Sequence, residues 1–214
     1  MAYLWPQPFQ TALNPFLQQF IEEFKHTTWL EFIGVVTGIA SVVFSRKENI
    51  LVYPVGMIST TIYIYLYLHH GLYADASVNF YYTVMSVTGW IMWARKKDGQ
   101  QALALTKSSP KEWRQALLFF AVAWLVLYLV LTRFTNSTVP VADSFTSGAA
   151  FTGMWLMNKK KLENWIWWIV TDLASVPLNF SKHLAFTAFQ YTVFLVLATM
   201  GYITWKKKIE NANR

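Results

Sequence analysis

The sequence predicts an all-α integral membrane protein in which seven transmembrane helices form two parallel three-helix repeats joined by a linker helix. The first observation is composition: 55% of the 214 residues are hydrophobic and only 14% are charged, whereas about a quarter of the residues in a soluble domain are charged. The second is a series of charge-poor runs long enough to cross a hydrocarbon core of about 30 Å. The third is a motif near the end of the third run that returns near the end of the seventh.

An interfacial segment is predicted before the first span. Residues 9–25 combine several phenylalanines with Gln, Glu and Lys. This stretch is too short and too polar to span a bilayer, and its composition is typical of an amphipathic helix at the membrane surface. We expect no cleavable signal peptide in this segment.

The apolar runs predict the spans and divide the chain into parts. The spans fall at 28–46, 48–68, 73–95, 115–133, 140–158, 161–181 and 184–205. The resulting parts are an N-terminal interfacial segment (1–27), a first three-helix repeat (28–95), a cytoplasmic loop with the linker transmembrane helix (96–138), a second three-helix repeat (139–206) and a cytoplasmic tail (207–214).

Basic residues predict the orientation of this bundle. Of the 18 Lys and Arg residues, all but Lys25, Arg133 and Lys182 fall at one side of the predicted helices. By the positive-inside rule, the N-terminus is then outside and the C-terminus cytoplasmic. Loops that face anionic lipid account for the net charge of +7, so nucleic-acid binding is not needed to explain it.

The repeat is visible as matched residues. Gly89, Ile91 and Trp93 return 112 residues later as Gly201, Ile203 and Trp205. Two three-helix units can share an orientation only if an odd number of spans separates them, and the fourth span supplies that inversion. Parallel repeats of this kind build transporters that bind substrate near the membrane midplane.

Two of the predicted helices carry a polar face. At 100° per residue, the polar positions of each helix fall within an arc of about 80°. They are Asp75, Asn79, Tyr82, Ser86, Gly89 and Trp93 on the third span, and Trp165, Trp168, Asp172, Ser175 and Asn179 on the sixth. Polar groups that face hydrocarbon without partners cost several kcal/mol, so both faces are expected to point into the bundle.

Asp172 is the acidic residue nearest the middle of a span, and every Lys and Arg lies at a span end. A cationic substrate is one counter-ion for such a carboxylate. The alternative is a carboxylate held by hydrogen bonds from Ser, Tyr or Asn neighbours. Trp165 and Trp168 also have two readings: tryptophan anchors helices at membrane interfaces, but this pair shares a face with Asp172 and could hold a flat aromatic cation by cation–π attraction.

The residues of this face carry a resemblance to a known family. The run Glu163–Asp172 (ENWIWWIVTD) resembles the sixth-helix Trp-x-x-Trp signature of the PnuC vitamin transporters. Asn49–Gly56 and Gly71–Asp75 are similar to that family's second helix and following loop, so the resemblance covers roughly 29–206. One departure is Lys182–Ala185, which reads Lys-His-Leu-Ala where the family often has Lys-Gly-Leu-Tyr.

The resemblance implies a fold like that of a full-length SWEET sugar transporter and a homotrimer in the bacterial cytoplasmic membrane. It also implies uptake of nicotinamide riboside for NAD biosynthesis by facilitated diffusion, with a separate cytoplasmic kinase trapping the product. Carried onto matching positions, it places Trp165 and Trp168 at the substrate pocket, with Asp172 on the same face. Further pocket residues are Asn79, Tyr82, Gln190 and Tyr191.

Other functions are also considered. Thiamine is a rival vitamin because its thiazolium is another flat cation, whereas neutral riboflavin or a sugar would leave Asp172 without a partner. A seven-helix sensor or receptor is the rival from another class. We expect no enzyme, cofactor or metal site, because the sequence contains neither His-Glu-x-x-His nor Gly-x-Ser-x-Gly, and His69 and His70 are adjacent in an outer loop.

Overall fold

The computed structural model of the chain describes residues 17–22, 24–25, 27–97, 100–135, 137–182 and 184–212. Within them the fold is helical, as predicted. The long helices are α1 (Trp29–Arg46), α2 (Val52–His69), α3 (Tyr73–Ala94), α4 (Pro110–Phe134), α5 (Pro140–Asn158), α6 (Asn164–Ser181) and α7 (Ala185–Ala212). Strands β1 (Lys96–Lys97) and β2 (Gln100–Gln101) form a short antiparallel pair in the loop after α3.

Local sequence explains where several helices begin and end. Thr28 and Glu31 form a capping box at the start of α1, and Ser109 and Glu112 form another at the start of α4. Each box satisfies backbone N–H groups that have no partner inside the helix. The second one starts α4 five residues ahead of the predicted span at 115, because the cap rather than the apolar run sets the boundary.

Two other boundaries differ from the predicted spans. Glu48 adopts a left-handed backbone with φ of 60°, which an α-helix cannot include, so α2 begins at Val52 instead of 48. At the other end of the chain, α7 continues through the three lysines after Trp205 and ends at Ala212. Most of the predicted tail is therefore helical.

The helices pack as two sets of three joined at two seams. Contacts link α1 to α2 and α2 to α3, and likewise α5 to α6 and α6 to α7. The sets meet where α1 contacts α7 and where α3 contacts α5, while α4 packs on α5. The pattern repeats in the chain as well, since α6 begins and ends 112 residues after α2.

Charged residues distinguish the two ends of the bundle. At one end, Lys160 lies 2.9 Å from Glu48 and Lys161 lies 2.7 Å from Glu112. The loops at this end hold most of the Lys and Arg residues, and we call it the basic end. At the opposite end, Lys182 pairs with Asp143 at 2.5 Å.

In the described part of the chain, three helices, α1, α4 and α7, are long and apolar enough to cross a membrane by length and composition. Only 6% of the apolar segment of α4 is buried inside the protein. The other long helices carry more polar residues, many of them buried: α5 buries Ser144, Thr146 and Thr152, and α6 buries Thr171 and Asp172.

The described part of the predicted interfacial segment is helical at 17–22 and 24–25. Phe20 packs near the start of α7, with its ring centroid 5.6 Å from Phe186 and 5.4 Å from Phe189. Residues 1–16, which include the start of the predicted amphipathic stretch at 9, lie outside the described residues. The segment thus contacts the bundle at the end opposite to the basic one.

Candidate functional site

A cavity of about 410 Å³ lies between the two sets of three helices. At the basic end its lining consists of buried residues, among them Tyr53 with 0% and Trp165 with 1% of their surface exposed. At the other end the lining reaches Asp75, which is exposed. The cavity is therefore closed toward the basic end and accessible from the opposite end.

One face of α6 supplies the aromatic and acidic side chains of the cavity. Trp165, Trp168 and Asp172 are spaced three and four residues apart, which places them on the same side of a helix, and all three line the cavity. Trp167 lies on the opposite side, with its ring centroid 5.0 Å from Phe120 of α4. The helix thus directs two tryptophans inward and one outward.

Asp172 is 3% exposed. Among the described residues, no Lys or Arg lies within ion-pair distance of its carboxylate. Burying a charge is costly unless a partner is present. The cavity wall therefore contains an acidic group that a bound cation would complement.

The two tryptophans differ in their surroundings. Trp168 is partly exposed, and its indole packs against Gly153, where a Cβ atom would lie 3.2 Å from the ring. Trp165 is packed edge to face against Trp205 with centroids 5.4 Å apart, and its Nε1 has no hydrogen-bond partner within the described part of the chain. Trp168 is the more accessible surface, whereas Trp165 forms the closed end of the cavity.

The helix α3 provides two of the predicted residues. Asn79 donates from its side-chain Nδ2 to the backbone oxygen of Asp75 at 3.0 Å. The Tyr82 ring lies 5.8 Å from Phe151 and 6.4 Å from Trp168 between centroids. An aromatic wall thus extends from α6 across to α3.

The helix α7 provides the last two. Gln190 and Tyr191 line the cavity, and the Tyr191 ring lies edge to face against Phe194 at 6.2 Å. The structure brings all seven predicted site residues to one cavity, and their contact with a substrate stays a prediction.

Sequence reasoning missed the contribution of α2. Thr60, Tyr63 and Tyr67 line the cavity, Thr60 lies 2.8 Å from Thr83 between hydroxyl oxygens, and Tyr63 stacks on Tyr67 at 5.7 Å between centroids. A signal for two of them was available. Thr60 and Tyr63 lie 112 residues before Asp172 and Ser175, so the repeat itself points to them.

A known protein family matches the whole helical bundle that forms this site. Residues 28–207 match the family model described as nicotinamide mononucleotide transporter. The chain belongs to this family. The resemblance to the PnuC transporters is thereby confirmed, and the protein is a membrane transporter rather than a seven-helix sensor or receptor.

Three proteins of known function are similar to this chain over most of its length. The nicotinamide riboside transporter PnuC of Neisseria mucosa is 28% identical over 207 residues, covering 91% of this chain and 78% of the relative. PnuC of Escherichia coli is 22% identical over 205 residues, covering 83% and 85%. The riboflavin/roseoflavin transporter RibM of Streptomyces davaonensis is 22% identical over 184 residues, covering 85% and 86%.

A solved structure shares the fold of this family member. The crystal structure of the vitamin B3 transporter PnuC superposes with a TM-score of 0.69, covering 97% of this chain and 94% of that chain at 24% identity. The shared helical fold therefore extends beyond the site to nearly the whole protein.

Proposed function

We propose that this protein carries nicotinamide riboside across the bacterial cytoplasmic membrane and binds it in the cavity between the two sets of helices. The single observation that carries the proposal is the buried Asp172 carboxylate, which lies beside Trp168 on the cavity wall with no Lys or Arg in ion-pair range among the described residues. Nicotinamide riboside has a flat cationic pyridinium ring, which this pair of groups complements. The relatives named as nicotinamide riboside transporters support the same substrate.

The remaining polar groups suit the rest of this substrate. Asn79 and Gln190 have side-chain amides that can donate and accept hydrogen bonds to ribose hydroxyls or to the carboxamide. Tyr82 and Tyr191 add rings and hydroxyl groups. A substrate acceptor would also satisfy the Trp165 indole N–H, which is a buried donor without a partner in the described residues. Leaving such a donor unsatisfied costs about 1–3 kcal/mol.

The proposed membrane arrangement has seven spans in a 3+1+3 order, with α4 as the linker between the parallel repeats α1–α3 and α5–α7. The basic end is cytoplasmic by the positive-inside rule, so the N-terminus is outside and the C-terminus inside. The polar faces of α3, α5 and α6 are then shielded from lipid by the bundle. In this orientation the cavity opens to the outside.

We further propose that uptake is facilitated diffusion, and that phosphorylation by a separate cytoplasmic kinase makes it directional. A homotrimer is the proposed assembly, as the family resemblance implies. The apolar surface of α4, exposed at Leu118, Val122 and Leu125, provides a surface for lipid or for neighbouring protomers.

Two other vitamins are kept as candidates for specific reasons. Thiamine would offer its thiazolium cation to the same pair, Trp168 and Asp172. Riboflavin is suggested by the similarity to RibM, but its neutral ring system would leave Asp172 buried without a counter-charge. Cation preference therefore distinguishes the first candidate from the second.

The test is uptake of radiolabelled nicotinamide riboside into proteoliposomes. We expect the label to equilibrate without a proton or sodium gradient and to accumulate only when a riboside kinase and ATP are enclosed. Excess unlabelled nicotinamide riboside should block uptake, while riboflavin should not. Accumulation above equilibrium that requires an ion gradient, or no uptake by folded protein, would refute this proposal.

A matched pair of variants tests whether uptake depends on the cavity. Trp168→Ala should strongly reduce uptake at low substrate concentration, because it removes the aromatic surface beside Asp172. Trp155→Ala removes a tryptophan of the same size that stacks on Phe119 of α4, with centroids 5.4 Å apart, and it should leave uptake near the wild-type rate. Equal losses in both variants would argue against the cavity as the site.

A further inference from the structure

Residues at equivalent positions of the two repeats touch each other at the basic end. Ser45 donates from Oγ to the Sδ of Met157 at 3.3 Å, and Lys160 donates from Nζ to Oε1 of Glu48 at 2.9 Å. Each pair is separated by 112 residues, the period of the repeat. Equivalent positions of two units related by a twofold axis can meet only where the axis passes between them. Both contacts therefore lie on the pseudo-twofold axis of the protein.

The axis at this point is the closed end of the cavity. Ser45 and Met157 both line the cavity, and they are 2% and 5% exposed. The Glu48–Lys160 pair lies three residues further along each chain segment, in the turns after α1 and α5. A solute leaving the cavity toward the basic end would have to pass between these residues.

Two indole groups donate hydrogen bonds to the C-terminal ends of α1 and α5. Trp93 of α3 donates from Nε1 to the backbone oxygens of Met157 and Asn158 at 3.3 and 3.2 Å. Its repeat mate, Trp205 of α7, donates to the backbone oxygens of Ser45 and Arg46 at 3.2 Å each. Carbonyl groups in the last turn of a helix have no partner within that helix. Each repeat therefore caps the first helix of the other.

The backbone around the charged pair is also duplicated. Glu48 and Lys160 are the two non-glycine residues with positive φ among the described residues, at 60° and 51°. Their backbone N–H groups bond to Ser45 and Met157 oxygens, both at 2.9 Å. Glycine is usual at such a position. A charged side chain there indicates that the side chain has a role that glycine cannot fill.

The two repeats carry opposite charges at these equivalent positions, whereas two identical units would carry the same charge. Lys160 is 0% exposed, and its Nζ also lies 4.7 Å from the centre of the Trp93 ring. Glu48 accepts a second ion pair from Lys208 at 3.3 Å. Separating the two side chains would therefore take a close carboxylate away from a buried ammonium group, which is costly in a buried environment, so the Glu48–Lys160 pair favours the closed arrangement.

We propose that Glu48 and Lys160 form the gate at the basic end of this carrier, that the structure shows this gate closed, and that separation of the pair opens the cavity to the cytoplasm. The inference rests on the proposed function for the orientation of the basic end and for the passage of substrate. It assigns a transport role to two residues outside the binding cavity.

The Lys160 side of the gate is the anchored side. The backbone N–H of Thr106 donates to the Lys160 oxygen at 3.2 Å, and the N–H of Leu162 donates back to Thr106 at 2.9 Å. Glu163 accepts from the Ser108 N–H at 2.7 Å. The loop before α4 thus holds the turn that carries Lys160, and opening would move the Glu48 turn away from it.

The test uses the fact that the chain contains no cysteine. Ser41→Cys places a thiol on the cavity wall, and a membrane-impermeant maleimide reports access from either side. In inside-out vesicles, Glu48→Gln and Lys160→Gln should each raise the labelling rate roughly tenfold, because the open state is a minor state that loss of the pair makes more populated. The double variant should label no faster than the faster single variant, since both remove the same interaction.

Two controls make the result specific. Lys161→Gln breaks the neighbouring Lys161–Glu112 pair, which lies off the axis, and it should leave labelling at the wild-type rate. In right-side-out vesicles, the single gate variants should label more slowly than wild type, because a carrier open to one side is closed to the other. Substrate is absent from these measurements, so they stand apart from the uptake test: failed uptake with the expected labelling would refute the substrate alone.

Any of three outcomes would overturn the gate. These are unchanged labelling in both single variants, a double variant whose effect equals the product of the two singles, and labelling that rises from both sides of the membrane. The last outcome would mean that the variants loosen the bundle generally instead of opening one end.

Discussion

Trp165 packs directly against Gly201, where a Cβ atom would lie 2.6 Å from three atoms of the indole ring. The same contact occurs 112 residues earlier, where a Cβ at Gly89 would lie 2.4 Å from an atom of the Tyr53 ring. Both rings line the closed end of the cavity. Glycine at the two repeat-related positions lets each ring, which belongs to the second helix of its repeat, lie against the backbone of the third helix of that repeat.

Gly201→Ala should therefore destabilise the protein. The added methyl group would have to displace the Trp165 ring, and overpacking of this kind costs about 1–3 kcal/mol. For a chain of this size we expect the midpoint of thermal unfolding in detergent to fall by roughly 2–12 °C. Gly34→Ala is the matched control: the nearest side-chain atoms would lie 3.3 Å from the new Cβ instead of 2.6 Å, so they would have to move only slightly and the midpoint should fall much less. Equal midpoints for both variants would contradict the contact described here.

The two cavity tryptophans should separate into different roles. Trp165 is 1% exposed and packed against Trp205, so Trp165→Ala should leave a cavity that costs about 3–5 kcal/mol of stability. Trp168 is partly exposed, so Trp168→Ala should keep a near-normal unfolding midpoint and lose about 1–3 kcal/mol of substrate binding. Midpoints and dissociation constants of both variants check this. The prediction fails if Trp165→Ala is as stable as wild type.

The negative charge of Asp172 should make the protein bind cationic ligands more tightly than uncharged ones. Asp172→Asn keeps the size of the side chain and removes its negative charge. It should weaken binding of nicotinamide riboside by at least about tenfold, or roughly 1.4 kcal/mol, while affinity for the uncharged reduced riboside stays constant or improves. Competition binding with both ribosides measures the ratio. The same loss for charged and uncharged ligands would show that Asp172 acts through structure alone.

The indole caps should contribute to stability through their N–H groups. Trp205→Phe retains an aromatic ring but removes the donor to the Ser45 and Arg46 oxygens. Leaving buried carbonyls without a donor should cost about 1–3 kcal/mol. Trp155→Phe, which keeps a ring that can stack on Phe119, is the control. A cost in the control as large as that in Trp205→Phe would point to ring size as the cause.

Much of the fold could be predicted because lipid-facing helices must be apolar and nearly free of charge. That requirement located most ends of the long helices to within a few residues, although α7 continues seven residues beyond its predicted span, to Ala212. The Ser109 cap moved the start of α4, and the left-handed Glu48 delayed the start of α2. The short β1–β2 pair lies in a polar loop where hydrophobic periodicity carries no signal.

The residues of the candidate site could be predicted where a polar side chain interrupts an apolar helix. Asp172 and Asn79 stand out because they interrupt apolar helices. Tyr63 and Tyr67 do not, since tyrosine is common in aromatic-rich membrane helices and its ring gives no direction by itself. The Glu48–Lys160 pair was hidden for another reason: both residues lie in basic loops, where a charge is expected, and only the three-dimensional packing shows them meeting on the axis.

Calorimetric titration of the purified protein in detergent with nicotinamide riboside, thiamine and riboflavin would show directly whether the cavity binds the proposed substrate. We expect saturable binding of nicotinamide riboside that exceeds binding of the other two vitamins. This binding should be weakened in Trp168→Ala and Asp172→Asn and retained in Trp155→Ala. A folded wild-type protein that binds none of the three, or that binds nicotinamide riboside equally well in all of the variants, would contradict the proposal.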